Sequence, residues 1–283
     1  MSKEFINKLP KEEVFSVSHY ICPDNVGFIE FLDIIQNYGF KGVGLTERVF
    51  KETSLISIKN ELKSRNLFIS SINSAGYFYH PISKLHDAQL RQNKYLLECA
   101  RELGNAPLNI IVGGQSIGCG KLTLEQSRQY IVNRLMQYSY EAQSTGVPLL
   151  LEPIHPMWTW SKSCINSLNE AIAIIKKIDC IQINLDLFHT YWDSDLLKFI
   201  DSGTNNIGLI QICDVAESVT TNSLSRVSLG QGFLDLNGLL KAIKKRNKKI
   251  PIEVEYFSNK LNGLDFRDLL ENCIFYLNSA NTA

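Results

Sequence analysis

The chain has 283 residues, of which 45% are hydrophobic and 20% charged, a composition that is typical of a globular protein with a sizeable core. Lysine plus arginine and aspartate plus glutamate both number 29, so the formal net charge is zero. A protein without net positive charge does not attract polyanions through its overall electric field. We therefore do not expect nucleic acid or an anionic membrane surface as partners.

The sequence has no apolar run of the roughly 20 residues that a transmembrane helix needs. Its first residues lack the apolar stretch of a signal peptide. The seven cysteines are an odd number, and no two of them form a Cys-x-x-Cys pair. This usage indicates reduced thiols rather than a disulfide framework or a zinc ribbon. We therefore expect a cytoplasmic protein.

Short apolar runs alternate along the chain with longer segments of helical periodicity. The runs predict eight strands, at residues 14–19, 42–47, 67–73, 108–113, 148–152, 181–186, 207–213 and 251–256. The segments between and after them predict eight helices, near residues 25–38, 52–65, 84–104, 123–145, 166–177, 194–202, 235–247 and 264–278.

The clearest helix signal lies at residues 123–145. Thr123 and Gln126 have the spacing of a capping box, and Gly146 follows as a stop signal. Eight β/α alternations without a change in composition predict a single (β/α)₈ TIM barrel that covers residues 1–283 as one domain. A parallel barrel buries both faces of each strand, which is why the strand runs are continuously apolar.

Acidic residues stand at the ends of three predicted strands. Glu152 ends strand 5, Asp186 ends strand 6, and Glu255 lies near the end of strand 8. In this fold the carboxyl ends of the strands form the active-site face, where Gln211 of strand 7 is expected to join them. Clustered carboxylates repel each other unless a cation neutralises them, so the pattern predicts a divalent metal. The alternative is that one or more of the acids pairs with an arginine or lysine.

Several motifs together resemble the xylose-isomerase-like sugar phosphate isomerase/epimerase superfamily, which includes ketose 3-epimerases and inosose dehydratases. The motifs, which extend over most of the chain, are Gly-Phe-Lys-Gly-Val-Gly-Leu at residues 39–45, Glu-Pro-Ile-His-Pro-Met at 152–157, Leu-Asp-Leu-Phe-His-Thr-Tyr-Trp-Asp at 185–193, Gly-Gln-Gly-Phe-Leu-Asp at 230–235 and Pro-Ile-Glu-Val-Glu-Tyr-Phe-Ser at 251–258.

The resemblance implies that Glu152, Asp186, Gln211 and Glu255 bind one divalent metal. Gln211 departs from the family, which has histidine at this position. An amide oxygen would make the ligand set all oxygen, which favours Mn²⁺ or Mg²⁺, with Zn²⁺ or Co²⁺ as alternatives. The departure also leaves open a weakened or lost site. Glu255 is preferred to Glu253 because it lies closer to the strand end and matches the family register, whereas the deeper Glu253 is expected to pair with a basic group.

Three further residues are expected to contact the substrate. His155 and His189 each lie three residues beyond a proposed ligand, and the resemblance assigns His189 to substrate oxygens. Arg226 matches a family arginine that helps to hold the substrate, with a salt bridge in a loop as the alternative.

The implied function is a metal-dependent isomerase or epimerase that acts on a sugar, ketose or cyclitol. Removal of the α-proton gives an enediolate, and the family glutamates that move protons correspond to Glu152 and Glu255. A dehydratase begins with the same step and remains an alternative, as does a catalytically impaired sugar-binding relative. The endonuclease IV branch of the fold is disfavoured, because it needs several metal-binding histidines and a DNA partner. A small-molecule substrate is the expected partner, and self-association is left open.

Overall fold

A computed structural model defines the fold of the chain. It describes residue 9 and residues 14–80, 82–115, 122–178, 180–202, 206–218, 223–245, 249–261 and 263–282.

Eight parallel strands form a closed barrel. Their bounds are β1 Phe15–Ser18, β2 Gly42–Thr46, β3 Phe68–Gly76, β4 Leu108–Ile111, β5 Leu149–Leu151, β6 Ile181–Asp186, β7 Ile207–Ile212 and β10 Ile252–Val254. Their order around the barrel is β1-β10-β7-β6-β5-β4-β3-β2, and the remaining two strands form a separate sheet that is described below. The predicted (β/α)₈ barrel and each of its eight predicted strands are confirmed.

Ten α-helices lie among the described residues. Their bounds are α1 Phe28–Asn37, α2 Glu47–Glu52, α3 Leu55–Arg65, α4 Ser83–Glu102, α5 Leu124–Thr145, α6 Leu168–Ile175, α7 Leu187–Thr190, α8 Leu196–Asp201, α9 Leu236–Lys244 and α10 Phe266–Thr282. The short helices α2 and α7, which begin directly at the ends of β2 and β6, were not predicted.

Helix α5 begins and ends as its sequence predicts. The Thr123 hydroxyl accepts a hydrogen bond from the backbone N–H of Gln126, and the Gln126 side chain accepts one from the backbone N–H of Thr123. At the other end Gly146 has φ 75°, a left-handed conformation that costs a glycine little. These caps satisfy backbone groups that the helix ends leave unpaired.

An antiparallel hairpin follows β7 and was not predicted. Its strands are β8, Asp214–Ser218, and β9, Ser223–Val227. The side chains of β9 are half-buried or exposed, so the segment lacks the continuous apolar run that marks the barrel strands.

The described residues divide into two compact units. The first comprises those within 1–70, 200–203 and 210–283, and the second those within 71–199 and 204–209. The interior of the first unit includes a contact between the Phe31 and Phe266 rings, and that of the second a contact between the Phe78 and Tyr138 rings. The prediction that residues 1–283 form a single domain stays a prediction.

None of the described helices is both long enough and apolar enough to cross a membrane. Six of the seven cysteines are free thiols, and the remaining one, Cys119, lies outside the described residues.

Candidate functional site

Two acids and a histidine of the second unit lie together. Glu152 directly follows β5, Asp186 ends β6, and His189 lies in α7. All three residues are at most 5% exposed. Nε2 of His189 is 3.7 Å from Oε1 of Glu152 and 3.6 Å from Oδ2 of Asp186. Among the described residues they form a group whose potential ligand atoms all lie within 4.8 Å of one another, a spacing that is compatible with one divalent cation.

The second oxygen of each acid is held by N–H donors. Oε2 of Glu152 accepts hydrogen bonds from Nδ2 of Asn109 at 2.5 Å and from Nδ2 of Asn184 at 3.4 Å. Oδ1 of Asp186 accepts one from the backbone N–H of Phe188 at 2.9 Å. Such donors favour the ionised form of a carboxyl group. They also orient Oε1 and Oδ2 toward the imidazole.

The two asparagines that donate to Glu152 belong to a chain of hydrogen-bonded, buried side-chain amides. Nδ2 of Asn109 donates to Oδ1 of Asn73 at 2.9 Å, and Nδ2 of Asn184 donates to Oδ1 of Asn109 at 3.2 Å. Asn109 and Asn184 were not predicted as site residues. Their signal in the sequence is an asparagine inside a mostly apolar barrel strand, because a buried amide needs partners.

One hydrogen bond to His189 favours a particular tautomer of its ring. The backbone N–H of His155 donates to Nδ1 of His189 at 3.4 Å. A nitrogen that accepts a hydrogen bond carries no proton, so in the neutral ring the proton lies on Nε2, which faces the two carboxylates. His189 is therefore arranged to donate to an oxygen. Metal coordination through Nε2 would need the other tautomer.

His155 contributes to this arrangement through its backbone and packs its ring among aromatic residues. Its ring lies parallel to that of Tyr191, with centroids 5.8 Å apart, and edge-on to Trp158 at 5.9 Å. Burial lowers the pKa of His155, which favours the neutral ring. The substrate contacts of His155 and His189 stay predictions.

Tyr77 adds a protonated hydroxyl near Glu152. Burial, reinforced by the negative charge of Glu152, raises the pKa of Tyr77 to about 12. The phenol therefore keeps its proton at neutral pH.

In the first unit, Gln211 of β7 lies between two buried glutamates. Its Nε2 donates to Oε1 of Glu253 at 2.7 Å and to Oε1 of Glu255 at 2.9 Å. Because carboxylates only accept hydrogen bonds, they fix the amide with its nitrogen toward them. Oε2 of Glu253 also accepts from the Ser70 hydroxyl at 2.5 Å. Gln211 thus links the two glutamates, and its role as a metal ligand stays a prediction.

Arg226 of β9 pairs with Glu255. Nη2 of Arg226 is 2.7 Å from Oε2 of Glu255, and the two side chains are 8% and 6% exposed. The guanidinium also lies over the Phe257 ring, 5.4 Å from its centroid. The alternative prediction for Arg226 was a salt bridge in a loop. The salt bridge is present, but Arg226 lies in a strand. A contact between Arg226 and substrate stays a prediction.

Asp214 explains the glycine-rich segment near residue 230. Its buried carboxylate accepts hydrogen bonds from four backbone N–H groups, those of Val215 at 2.8 Å, Gly230 at 3.0 Å, Gly232 at 2.9 Å and Leu234 at 3.2 Å. A Cβ on Gly232 would lie 2.2 Å from Oδ1 of Asp214, so only glycine allows this approach. Asp214 was not singled out by the sequence analysis.

Comparison with solved structures shows what this fold resembles. A protein from Sinorhizobium meliloti 1021 is 24% identical, with a TM-score of 0.83, and the match covers 95% of this chain and 98% of that one. The IolI protein, whose crystal structure contains a zinc atom, is 19% identical, with coverage of 94% and 97% and a TM-score of 0.77. The 3-keto-D-glucoside 4-epimerase YcjR of E. coli is 19% identical, with coverage of 94% and 99% and a TM-score of 0.74.

Comparison with curated protein sequences gives no match. The family model described as xylose isomerase-like TIM barrel matches residues 32–273. That match covers most of the chain, including both groups of buried acids described above. The protein therefore belongs to the xylose isomerase-like TIM barrel family.

Proposed function

We propose that the protein is a metal-dependent isomerase or epimerase that removes a proton from the carbon next to the carbonyl of a sugar, ketose or cyclitol. The observation that carries this proposal is the buried group of Glu152, Asp186 and His189, whose ligand atoms lie within 4.8 Å of one another. Family membership supports the substrate class, as does the structural likeness to an enzyme that epimerises a keto-glucoside.

Oε1 of Glu152 and Oδ2 of Asp186 are the proposed metal-ligand atoms of this group. Gln211 and Glu255 are proposed as further ligands on the sequence resemblance. When bound, a divalent cation polarises a carbonyl group and stabilises the negative charge that develops as the α-proton leaves. Carboxylate and amide oxygens favour Mn²⁺ or Mg²⁺. The zinc atom in the IolI structure supports a divalent metal and keeps Zn²⁺ as an alternative, together with Co²⁺.

The protein's own groups would move and hold the protons. Glu152 is the proposed general base, because the amides of Asn109 and Asn184 hold its Oε2 and so orient the carboxylate. His189 would donate its Nε2 proton in a hydrogen bond to a substrate oxygen. Glu255, paired with Arg226, is the proposed second acid/base residue.

One observation favours a second candidate, a sugar-binding relative with impaired catalysis. The amide nitrogen of Gln211 donates to Glu253 and Glu255, where a family member would have a histidine. If this arrangement persists when metal is supplied, Glu255 is held by Gln211 and Arg226 rather than by a cation.

Proton exchange with heavy water tests the proposal. The Mn²⁺- and Mg²⁺-supplemented protein would be incubated in heavy water with ketopentoses, ketohexoses and inososes, and deuterium at the carbon next to the carbonyl would be followed by NMR. We expect exchange with at least one of these classes, and we expect Glu152→Gln and Glu255→Gln each to abolish it.

The exposed Glu98 of α4 offers a matched control, because Glu98→Gln makes the same chemical change on the surface. Unchanged exchange in both active-site variants would overturn the assignment of the bases. A product lighter by one water would identify a dehydratase. Binding of a sugar without exchange in any metal-loaded sample would identify the impaired relative.

A further inference from the structure

All three tryptophans of the chain lie in the segments that follow β5 and β6. Trp158 and Trp160 follow β5, and Trp192 follows β6 just beyond α7. Trp160 is 55% exposed and Trp192 is 39% exposed, and the neighbouring Met157 is 42% exposed. Exposed large apolar side chains that are concentrated in two segments flanking the buried acids point to a surface that binds a ligand.

Ring contacts connect this surface to the buried acids. The Trp158 ring meets the His189 ring edge-on, with centroids 5.3 Å apart, and it meets the His155 ring at 5.9 Å. The His155 ring in turn meets the Trp192 ring at 5.9 Å. The aromatic surface therefore begins at the histidine that faces Glu152 and runs outward to exposed rings.

The segment that carries Trp160 is held in place by its backbone. The backbone N–H of Gln115 donates to the carbonyl oxygen of Thr159 at 3.0 Å, and the Thr159 hydroxyl lies 3.0 Å from Oδ1 of Asn166. Gly114 packs so closely on this segment that a Cβ there would lie 2.5 Å from the carbonyl carbon of Trp160. The surface is thus formed before a ligand arrives, which lowers the ordering cost of binding.

Polar donors accompany the aromatic rings. The Lys162 ammonium lies over the Trp158 ring, 5.3 Å from its centroid. The indole N–H of Trp192 donates to the carbonyl oxygen of His189 at 2.9 Å, which fixes the plane of that ring. Fixed ring faces with an ammonium group beside them suit a ligand that has apolar faces and a polar rim. A sugar ring has both, with C–H groups on its faces and hydroxyls around its edge.

We propose that Trp158, Trp160 and Trp192 form a platform that binds a second, unreacting ring of the substrate, which makes the substrate a disaccharide or another glycoside. This inference rests on the proposed function, because it places the reacting sugar at Glu152 and Asp186. The reacting ring is placed at the buried acids, and its glycosyl substituent extends along the ring contacts that lead from His189 toward the exposed Trp192.

Intrinsic fluorescence tests the platform, because the whole tryptophan emission of the chain comes from these three residues. The full-length protein would be titrated with disaccharides and methyl glycosides, and with the matching monosaccharides as references. We expect at least one disaccharide or glycoside to change the emission and to bind more tightly than its monosaccharide. We expect Trp160→Ala to weaken that binding about tenfold, which corresponds to the loss of one aromatic contact, and Trp160→Phe to restore most of it.

The exposed Tyr140, 64% exposed on α5, gives the control variant Tyr140→Ala. The platform is overturned if no disaccharide or glycoside binds more tightly than its monosaccharide, or if Trp160→Ala and Tyr140→Ala behave alike. It is also overturned if Trp160→Ala converts a dimer into a monomer in light scattering, because the surface would then be a subunit interface.

The titration needs no turnover, so the two proposals can fail separately. Glycoside binding without heavy-water exchange would refute the proposed function and leave the platform intact. Exchange with monosaccharides, together with unchanged glycoside binding in Trp160→Ala, would refute the platform alone.

Discussion

Replacing Gln211 by leucine would remove both hydrogen bonds that link two buried glutamates. The amide of Gln211 donates to Glu253 at 2.7 Å and to Glu255 at 2.9 Å, and the three residues are at most 4% exposed. A hydrogen bond to a charged group contributes about 1.5–3 kcal/mol, so Gln211→Leu should lower the free energy of unfolding by about 3–6 kcal/mol. Each glutamate would retain one of its other donors, Ser70 or Arg226.

Gln211→His should lower the free energy of unfolding less than Gln211→Leu does, but it should not reach the stability of the wild type. The two nitrogens of an imidazole point in different directions, so the ring can donate to one of the two glutamates but not to both. Gln211→His should therefore lower the free energy of unfolding by about 1.5–3 kcal/mol, roughly half of the leucine effect.

Urea unfolding followed by circular dichroism measures both changes as shifts of the transition midpoint at constant slope. Gln143→Leu, at an exposed position of α5, makes the same chemical change without a buried acceptor and should leave the midpoint almost unchanged. A Gln211→Leu protein as stable as the wild type would show that the two hydrogen bonds from Gln211 to the glutamates contribute little to stability.

Three further predictions concern titration, amide support and metal choice. Burial, reinforced by the charge of Arg48, lowers the pKa of His19 from 6.5 to about 3. As the pH falls below 6.5, His19 therefore gains a proton in the unfolded chain but stays neutral in the folded protein. The wild type should lose about 2 kcal/mol of stability between pH 6.5 and pH 5 from this group, and urea unfolding of His19→Gln should show a flatter pH dependence; equal slopes would contradict the assignment. Asn109→Leu removes the donor to Glu152 and the hydrogen bonds with Asn73 and Asn184, and should lower the free energy of unfolding by about 3–5 kcal/mol, measured in the same way; an unchanged stability would show that Glu152 finds another donor. Thermal unfolding with added divalent ions should show that the wild type is stabilised most by Mg²⁺ or Mn²⁺ and that Gln211→His shifts the preference toward Zn²⁺ or Co²⁺; the same preference in both proteins would exclude the amide oxygen as a ligand.

The barrel could be predicted because its strands are buried on both faces and therefore read as continuous apolar runs. The hairpin of β8 and β9 could not, because the side chains of β9 are half-buried or exposed and its residues form no continuous apolar run. Helix α7 also escaped prediction, since its four residues are too few to show a helical period.

The candidate site was predictable only in part, for a related reason. Acids at strand ends are visible in the sequence, because topology brings the carboxyl ends of parallel strands to one edge. The partners of those acids depend on strand register, which local sequence does not determine. Asn109 reaches Glu152, and Gln211 reaches Glu253 and Glu255, through pairings between strands that lie 42–44 residues apart along the chain.

Asp214 has a consequence for how this chain can vary. Its carboxylate ties Val215, at the start of the β8–β9 hairpin, to Gly230 and Gly232, which follow the hairpin. Residues inserted between β8 and β9 would therefore lengthen the hairpin without breaking the hydrogen bonds that hold its two ends together. Hairpins of different lengths could therefore be grafted between these tied points with the four hydrogen bonds of Asp214 kept, which makes the segment a suitable place for insertion by design.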